Sequence, residues 1–135
     1  MSLAGVARMT NRGIGADQRR SPRIEVWRQV KGRLLALDTP IVVHDLSRTG
    51  FAVVSSLLFT PGETIEFHLE AEQAAMSFRV AARAVHARPI PQTPGLHLSG
   101  FMFVPSPILG EVPQAHIDRL IAAVTEPRRV MFSQA

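Results

Sequence analysis

From Thr64 onward the chain alternates between apolar and polar residues. Ile65, Phe67 and Leu69 fall on one side, with Glu66, His68 and Glu70 on the other, the period of two expected of a half-buried antiparallel strand. Met76, Phe78, Val80, Ala82 and Ala84 repeat the pattern, with Arg79 and Arg83 opposite. Four further stretches read as strands. The first runs from about Arg23 to Leu37, where Ile24, Val26, Arg28 and Val30 share a face and Gly32 allows a bulge or bend. The others are about Ile41 to His44, Phe51 to Ser56, and Leu96 to Val104, the last interrupted by Gly100. Asp38-Thr39-Pro40, Pro61-Gly62 and the Pro89–Gly95 segment carry the residues of turns and loops. After Pro105-Ser106-Pro107 the period changes. Ile117, Leu120, Ile121 and Val124 are spaced i, i+3, i+4, i+7, Pro113 suits a first helical turn, and Pro127 ends the element. The pattern predicts a mainly β protein, a six-stranded antiparallel barrel followed by an amphipathic helix over about 111–125. The stripe on that helix is expected to cover the barrel, with pairing to a second copy of the chain as the alternative.

The length of 135 residues suits one domain with a real core. Residues 1–17 contain Gly5, Gly13, Gly15 and scattered Arg in no apolar period, and read as a flexible basic arm. The domain is expected over 18–126 and a frayed tail over 127–135. Hydrophobic residues make up 46% and charged residues 19%, an ordinary balance for a soluble protein. No run approaches the ~18 apolar residues of a membrane-spanning helix, and the first residues lack the apolar stretch of a secretory signal. The expectation is a cytoplasmic protein without membrane insertion. The absence of Cys excludes disulfides and thiolate metal sites.

The net charge is +4, and its distribution matters more than its size. Fourteen of the fifteen basic residues are Arg, and eight basic residues face only two acidic ones between Arg8 and Arg33. Codon bias in a GC-rich genome accounts for a general preference for Arg but not for this clustering. Within it lies Gln18-Arg19-Arg20-Ser21-Pro22-Arg23, directly before the first strand. Arg offers a planar fork of donors that fits phosphates and the O6/N7 edge of guanine, and it stacks on flat rings. Arg19 and Arg23 are four apart and share a face, and Pro22 stiffens the segment between them. A second polar stretch, Asp45-Leu46-Ser47-Arg48-Thr49-Gly50, connects two β-rich runs as a hairpin turn. Asp45 can accept from guanine N–H donors or from Arg, Ser47 can donate to a phosphate or base, and Gly50 can take a positive φ and lets backbone pass close to a flat base. The bland reading is a capped turn and a solvated cationic stretch. Both pieces together suit a ligand containing phosphate and purine.

Arg19-x-x-x-Arg23 followed by Asp45-x-Ser47-x-x-Gly50, in this order and strand context, resembles the PilZ domain family, and Leu98-Ser99-Gly100-Phe101-Met102-Phe103 looks like that family's final strand. The resemblance covers roughly Gln18 to Pro105. It implies a bacterial domain with a six-stranded barrel that binds the second messenger cyclic di-GMP. By it, Arg19 and Arg23 clamp phosphate and guanine with Arg20 assisting, Asp45 and Ser47 contact the other guanine, and Gly50 shapes the turn. Gln18 bears on whether one ligand or a stacked pair binds. The basic arm is then expected to order on the ligand and to make a surface read by a downstream protein partner. The alternative is a module of the same fold that binds a protein but no nucleotide.

Other chemistries find little support. His44, His68, His86, His97 and His116 show no metal-ligand spacing and read as scattered strand or surface residues. No G-x-S-x-G, Walker A or Rossmann glycine pattern occurs, so no enzyme, metal or cofactor is expected. A nucleic-acid-binding barrel would interleave aromatics for base stacking, whereas this chain has seven Phe, one Trp and no Tyr. Trp27 reads as a packing residue rather than a stacking one.

Overall fold

The computed structural model describes residues 22–26 and 28–125. Seven strands are present: β1 (Ile24–Glu25), β2 (Lys31–Leu34), β3 (Thr39–Leu46), β4 (Gly50–Ser55), β5 (Thr64–Ala71), β6 (Met76–Pro89) and β7 (His97–Val104). A short 3-10 turn, Glu72–Ala74, joins β5 to β6, and helix α1 (Gln114–Thr125) closes the described chain. Six strands form the ring β3-β2-β5-β6-β7-β4, which the β3–β4 pairing closes, every pair being antiparallel. The expected six-stranded barrel with one C-terminal helix is the architecture observed.

The first predicted strand departs from expectation. β1 pairs Ile24 with Leu46 and Glu25 with Asp45, on the same edge of β3 that β2 uses further along. Between them the chain leaves the sheet: the Gln29 and Val30 N–H groups both donate to the Val26 carbonyl, at 2.8 and 3.0 Å. One tight turn thus brings Val26 and Val30, four apart, into the core together. Arg28 lies exposed in that turn instead of sharing their face. Gly32, where the sequence suggests a bend, sits in regular register between Ile41 and Leu69. Likewise β7 runs unbroken through Gly100.

The irregularities lie elsewhere, and they set up the outer face. Val43 pairs with Val53 and Asp45 with Ala52, leaving His44 as an extra residue. Ala84 pairs with Phe101 and His86 with Gly100, leaving Val85 extra. A one-residue bulge inverts the alternation beyond it. Ile41 and Val43 point into the core, and so does Leu46; the bulge at His44 is what turns Asp45 outward.

Inside, Phe51 is fully buried among Phe67, Phe101 and Phe103, with ring centroids 5.0, 5.4 and 5.4 Å away, within the range of favourable aromatic pairing. α1 starts at Gln114, directly after Pro113, whose carbonyl accepts the Ile117 N–H. Its Ile117, Leu120 and Val124 are buried against the core cluster and Ile121 packs beside them. The apolar stripe therefore covers the barrel.

Candidate functional site

The two bulges and the β1–β3 pairing assemble one row across the outer face: Glu25, Asp45, Ala52, Gly100 and His86, each opposite the next on neighbouring strands. Small residues at its centre leave the ends standing above the sheet. Arg23, just before β1, reaches Asp45 with Nη1 2.7 Å from Oδ1. The other carboxylate oxygen, Oδ2, lies 3.0 Å from His44 Nδ1. The Asp45 side chain is only 15% exposed and Arg23 32%, so this charge-assisted contact is partly screened from water. Arg23, Gly50, Val85, His86, Gly100 and Met102 line an open cleft of about 170 Å³.

The turn between β3 and β4 is held from several sides. The Ser47 N–H donates to the Gly50 carbonyl at 2.9 Å. Ser47 Oγ accepts from the Thr49 N–H at 3.3 Å and donates to the Gly50 carbonyl at 3.4 Å. At 1% exposure, Ser47 is spent on the turn itself. The Phe103 N–H donates to the Thr49 carbonyl, tying the turn to β7. Gly50 is not in the left-handed region, contrary to the freedom its sequence position suggests. Its need for glycine is steric: a Cβ would stand 2.1 Å from the Phe101 carbonyl oxygen.

Arg48, in the middle of the turn, is gripped by α1. Its Nε and Nη2 donate to the two carboxylate oxygens of Asp118 at 2.8 and 3.1 Å. Gln114 Nε2 donates to the Arg48 carbonyl at 3.1 Å and to Asp118 Oδ1 at 3.2 Å. The hydrogen bond from Arg48, then the one from Gln114, holds the Asp118 carboxyl below its ordinary pKa.

His86, which in the sequence reads as one of several scattered histidines, lines the cleft. Its ring lies against Gly100, where a Cβ would come within 2.7 Å of Nε2. A sequence signal existed: inward alternation through Val80, Ala82 and Ala84 reaches position 86, and a histidine there is out of character with a core. Although exposed at its outer side, the ring is held below the ordinary value of 6.5, by burial first and then by Arg23 and Arg88, against a smaller opposing pull from Asp45. The neutral ring is thus favoured in the folded chain. By linkage its contribution to stability is complete above the unfolded-state pKa and is lost as the pH falls through the window between the two values. NMR titration is expected to place His86 below a free histidine, and Arg23→Ala is expected to restore only part of the difference, because burial remains.

Of the residues singled out in the sequence, Arg23, Asp45, Ser47 and Gly50 come together here. Arg19, Arg20, Gln18 and Trp27 lie outside the described residues, as do the arm and the tail. Among the described residues no group of three or more His, Asp or Glu is placed to hold a metal ion, and no helix is long and apolar enough to cross a membrane. Phe51, Phe67, Phe101 and Phe103 are in the core, which leaves these four rings unavailable for stacking on nucleic-acid bases, and the partly buried Phe59 and Phe78 pack against it.

The chain is similar in structure to Escherichia coli YcgR in complex with c-di-GMP (TM-score 0.62, 17% identity, 87% of this chain and 50% of that one). It is also similar to the K. pneumonia MrkH–c-di-GMP complex (TM-score 0.64, 13% identity, 83% and 55%). The chain therefore spans about half the length of these two proteins. Against the PilZ domain of E. coli YcgR with c-di-GMP, the TM-score is 0.59 and the identity 15%, over 87% of this chain and 99% of that domain. No curated protein matches the sequence. The PilZ domain family model matches residues 17–123, nearly the whole barrel and its helix, and the chain belongs to that family.

Proposed function

We propose that this chain is a bacterial, cytoplasmic sensor of cyclic di-GMP that acts by binding and not by catalysis. The observation that carries the reading is the meeting of Arg23, which lines the cleft, with Asp45. The two sequence motifs are separated along the chain, and the β1–β3 pairing brings their ends together. Arg23 supplies a fork for phosphate or a guanine edge, and Asp45 supplies an acceptor for guanine N–H donors. Ser47 and Gly50 contribute by holding the turn in shape. Arg19 and Arg20 complete the arginine set from the preceding arm. Solved structures of similar fold with c-di-GMP, one of them a PilZ domain, support the ligand's identity. Binding joins arm to barrel, and the surface so formed is read by a downstream protein partner.

The test is calorimetric titration of the purified chain with cyclic di-GMP. Saturable binding with a defined stoichiometry is the expected result. No heat, confirmed by a second method, would leave the family assignment standing and favour a protein-interaction module that binds no nucleotide.

A further inference from the structure

The ligand turn is not self-sufficient. Arg48 lies between Ser47 and Gly50, and α1 holds both its ends: Asp118 takes the guanidinium with two hydrogen bonds, and Gln114 takes the main-chain carbonyl. Gln114 also donates to Asp118, four residues on and on the same helical face. The adjoining face of α1 is anchored by Ile117, Leu120 and Val124 in the core. Exposed ion pairs are usually weak, but a two-point Arg–carboxylate fork within a three-residue network is the exception. Neither Gln114 nor Asp118 is among the residues that line the cleft, and both reach the turn through Arg48.

We propose that Gln114 and Asp118 are positioning residues that make docked α1 part of the ligand turn, so that helix docking and ligand affinity rise and fall together. The second half of this statement rests on the cyclic di-GMP reading above. If the docked helix improves the turn's affinity, bound ligand must favour the docked helix by the same factor. A signal arriving at the cleft then reaches the C-terminal end of the domain as well as the arm.

Two measurements on the full chain decide it. In the ligand-free protein, Asp118→Ala is expected to speed hydrogen exchange at the Ser47 and Thr49 amides, both hydrogen-bonded within the turn. In titrations with cyclic di-GMP, Asp118→Ala and Gln114→Ala are expected to weaken binding about threefold to tenfold, and Asp118→Glu to retain most of the affinity. The double variant Arg48→Ala/Asp118→Ala should bind no worse than Arg48→Ala alone, which a general loss of helix stability would not produce. Unchanged exchange and affinity in Asp118→Ala overturn the proposal. Tighter binding also overturns it, since that would mean Asp118 withholds Arg48 from the ligand. If the wild-type chain binds no cyclic di-GMP, the sensor reading fails, and the exchange measurement alone decides whether the helix positions the turn.

Discussion

Gly50→Ala will break the seam between β4 and β7. The added methyl would stand 2.1 Å from the Phe101 carbonyl oxygen and 3.2 Å from the Met102 Cα. Both are backbone atoms of a paired strand, so no side-chain rotation relieves the clash. The strands must separate where Gly50 opposes Met102, next to the Phe51–Phe101 stack. Overpacking of this kind typically costs about 1–3 kcal/mol, and the loss here is expected at or above the top of that range. Gly100→Ala is the natural comparison, since its methyl would meet the His86 ring at 2.7 Å, and that ring can swing outward. Urea unfolding of both variants should show a much lower midpoint for Gly50→Ala than for Gly100→Ala. Equal, near wild-type midpoints would mean that the β4–β7 approach is looser than described.

Arg23→Ala and Asp45→Ala should separate binding from stability. The pair is partly exposed, so losing it is expected to cost the fold about 1 kcal/mol or less. Loss of a charged, geometrically fixed contact to ligand should cost about 1–3 kcal/mol, one to two decades in cyclic di-GMP affinity. Arg23→Lys retains the charge but not the fork and should fall between wild type and Arg23→Ala. Calorimetry and thermal unfolding of the same samples provide both quantities. Affinity that merely follows melting temperature across the series would reduce the pair to a structural contact.

Strands with one buried face were the most legible parts of the chain. Ile65, Phe67 and Leu69, and likewise Val80, Ala82 and Ala84, show their facing in their own alternation, and Ile117, Leu120 and Val124 show theirs in a helical period. The break at Val26–Val30 was not legible. Two buried valines four apart fit an even-numbered strand face as well as they fit one turn of helix, and only the position of β3 decides between them. Bulges hide for a related reason, because an extra residue breaks the pattern without naming itself. In β3, apolar residues at 41, 43 and 46 carry that signature in retrospect. Asp45 and Arg23 could be chosen as site residues by chemical type, and their contact follows from register. His86 is marked only by its type at an inward-reading position, a signal that names no partner, since it enters the site from a strand distant in sequence. The grip of Gln114 and Asp118 on Arg48 joins a turn to a helix with no shared period, so nothing in the chain's periodicity announces it.

The closure of the barrel has a kinetic side. β3 and β4 are neighbours along the chain and can pair early, but β4 must wait for β7, and the intervening strands and loops must be drawn in before the two meet. Pairings so distant in sequence carry the larger loop-closure entropy and form late. One wall of the cleft comes from the early hairpin and the other from β6 and β7, so the cleft exists only once the ring is complete. A molecule that fits it has no partial site to bind on a half-folded chain. Its occupancy would register finished molecules alone and draw the folding equilibrium toward them by mass action.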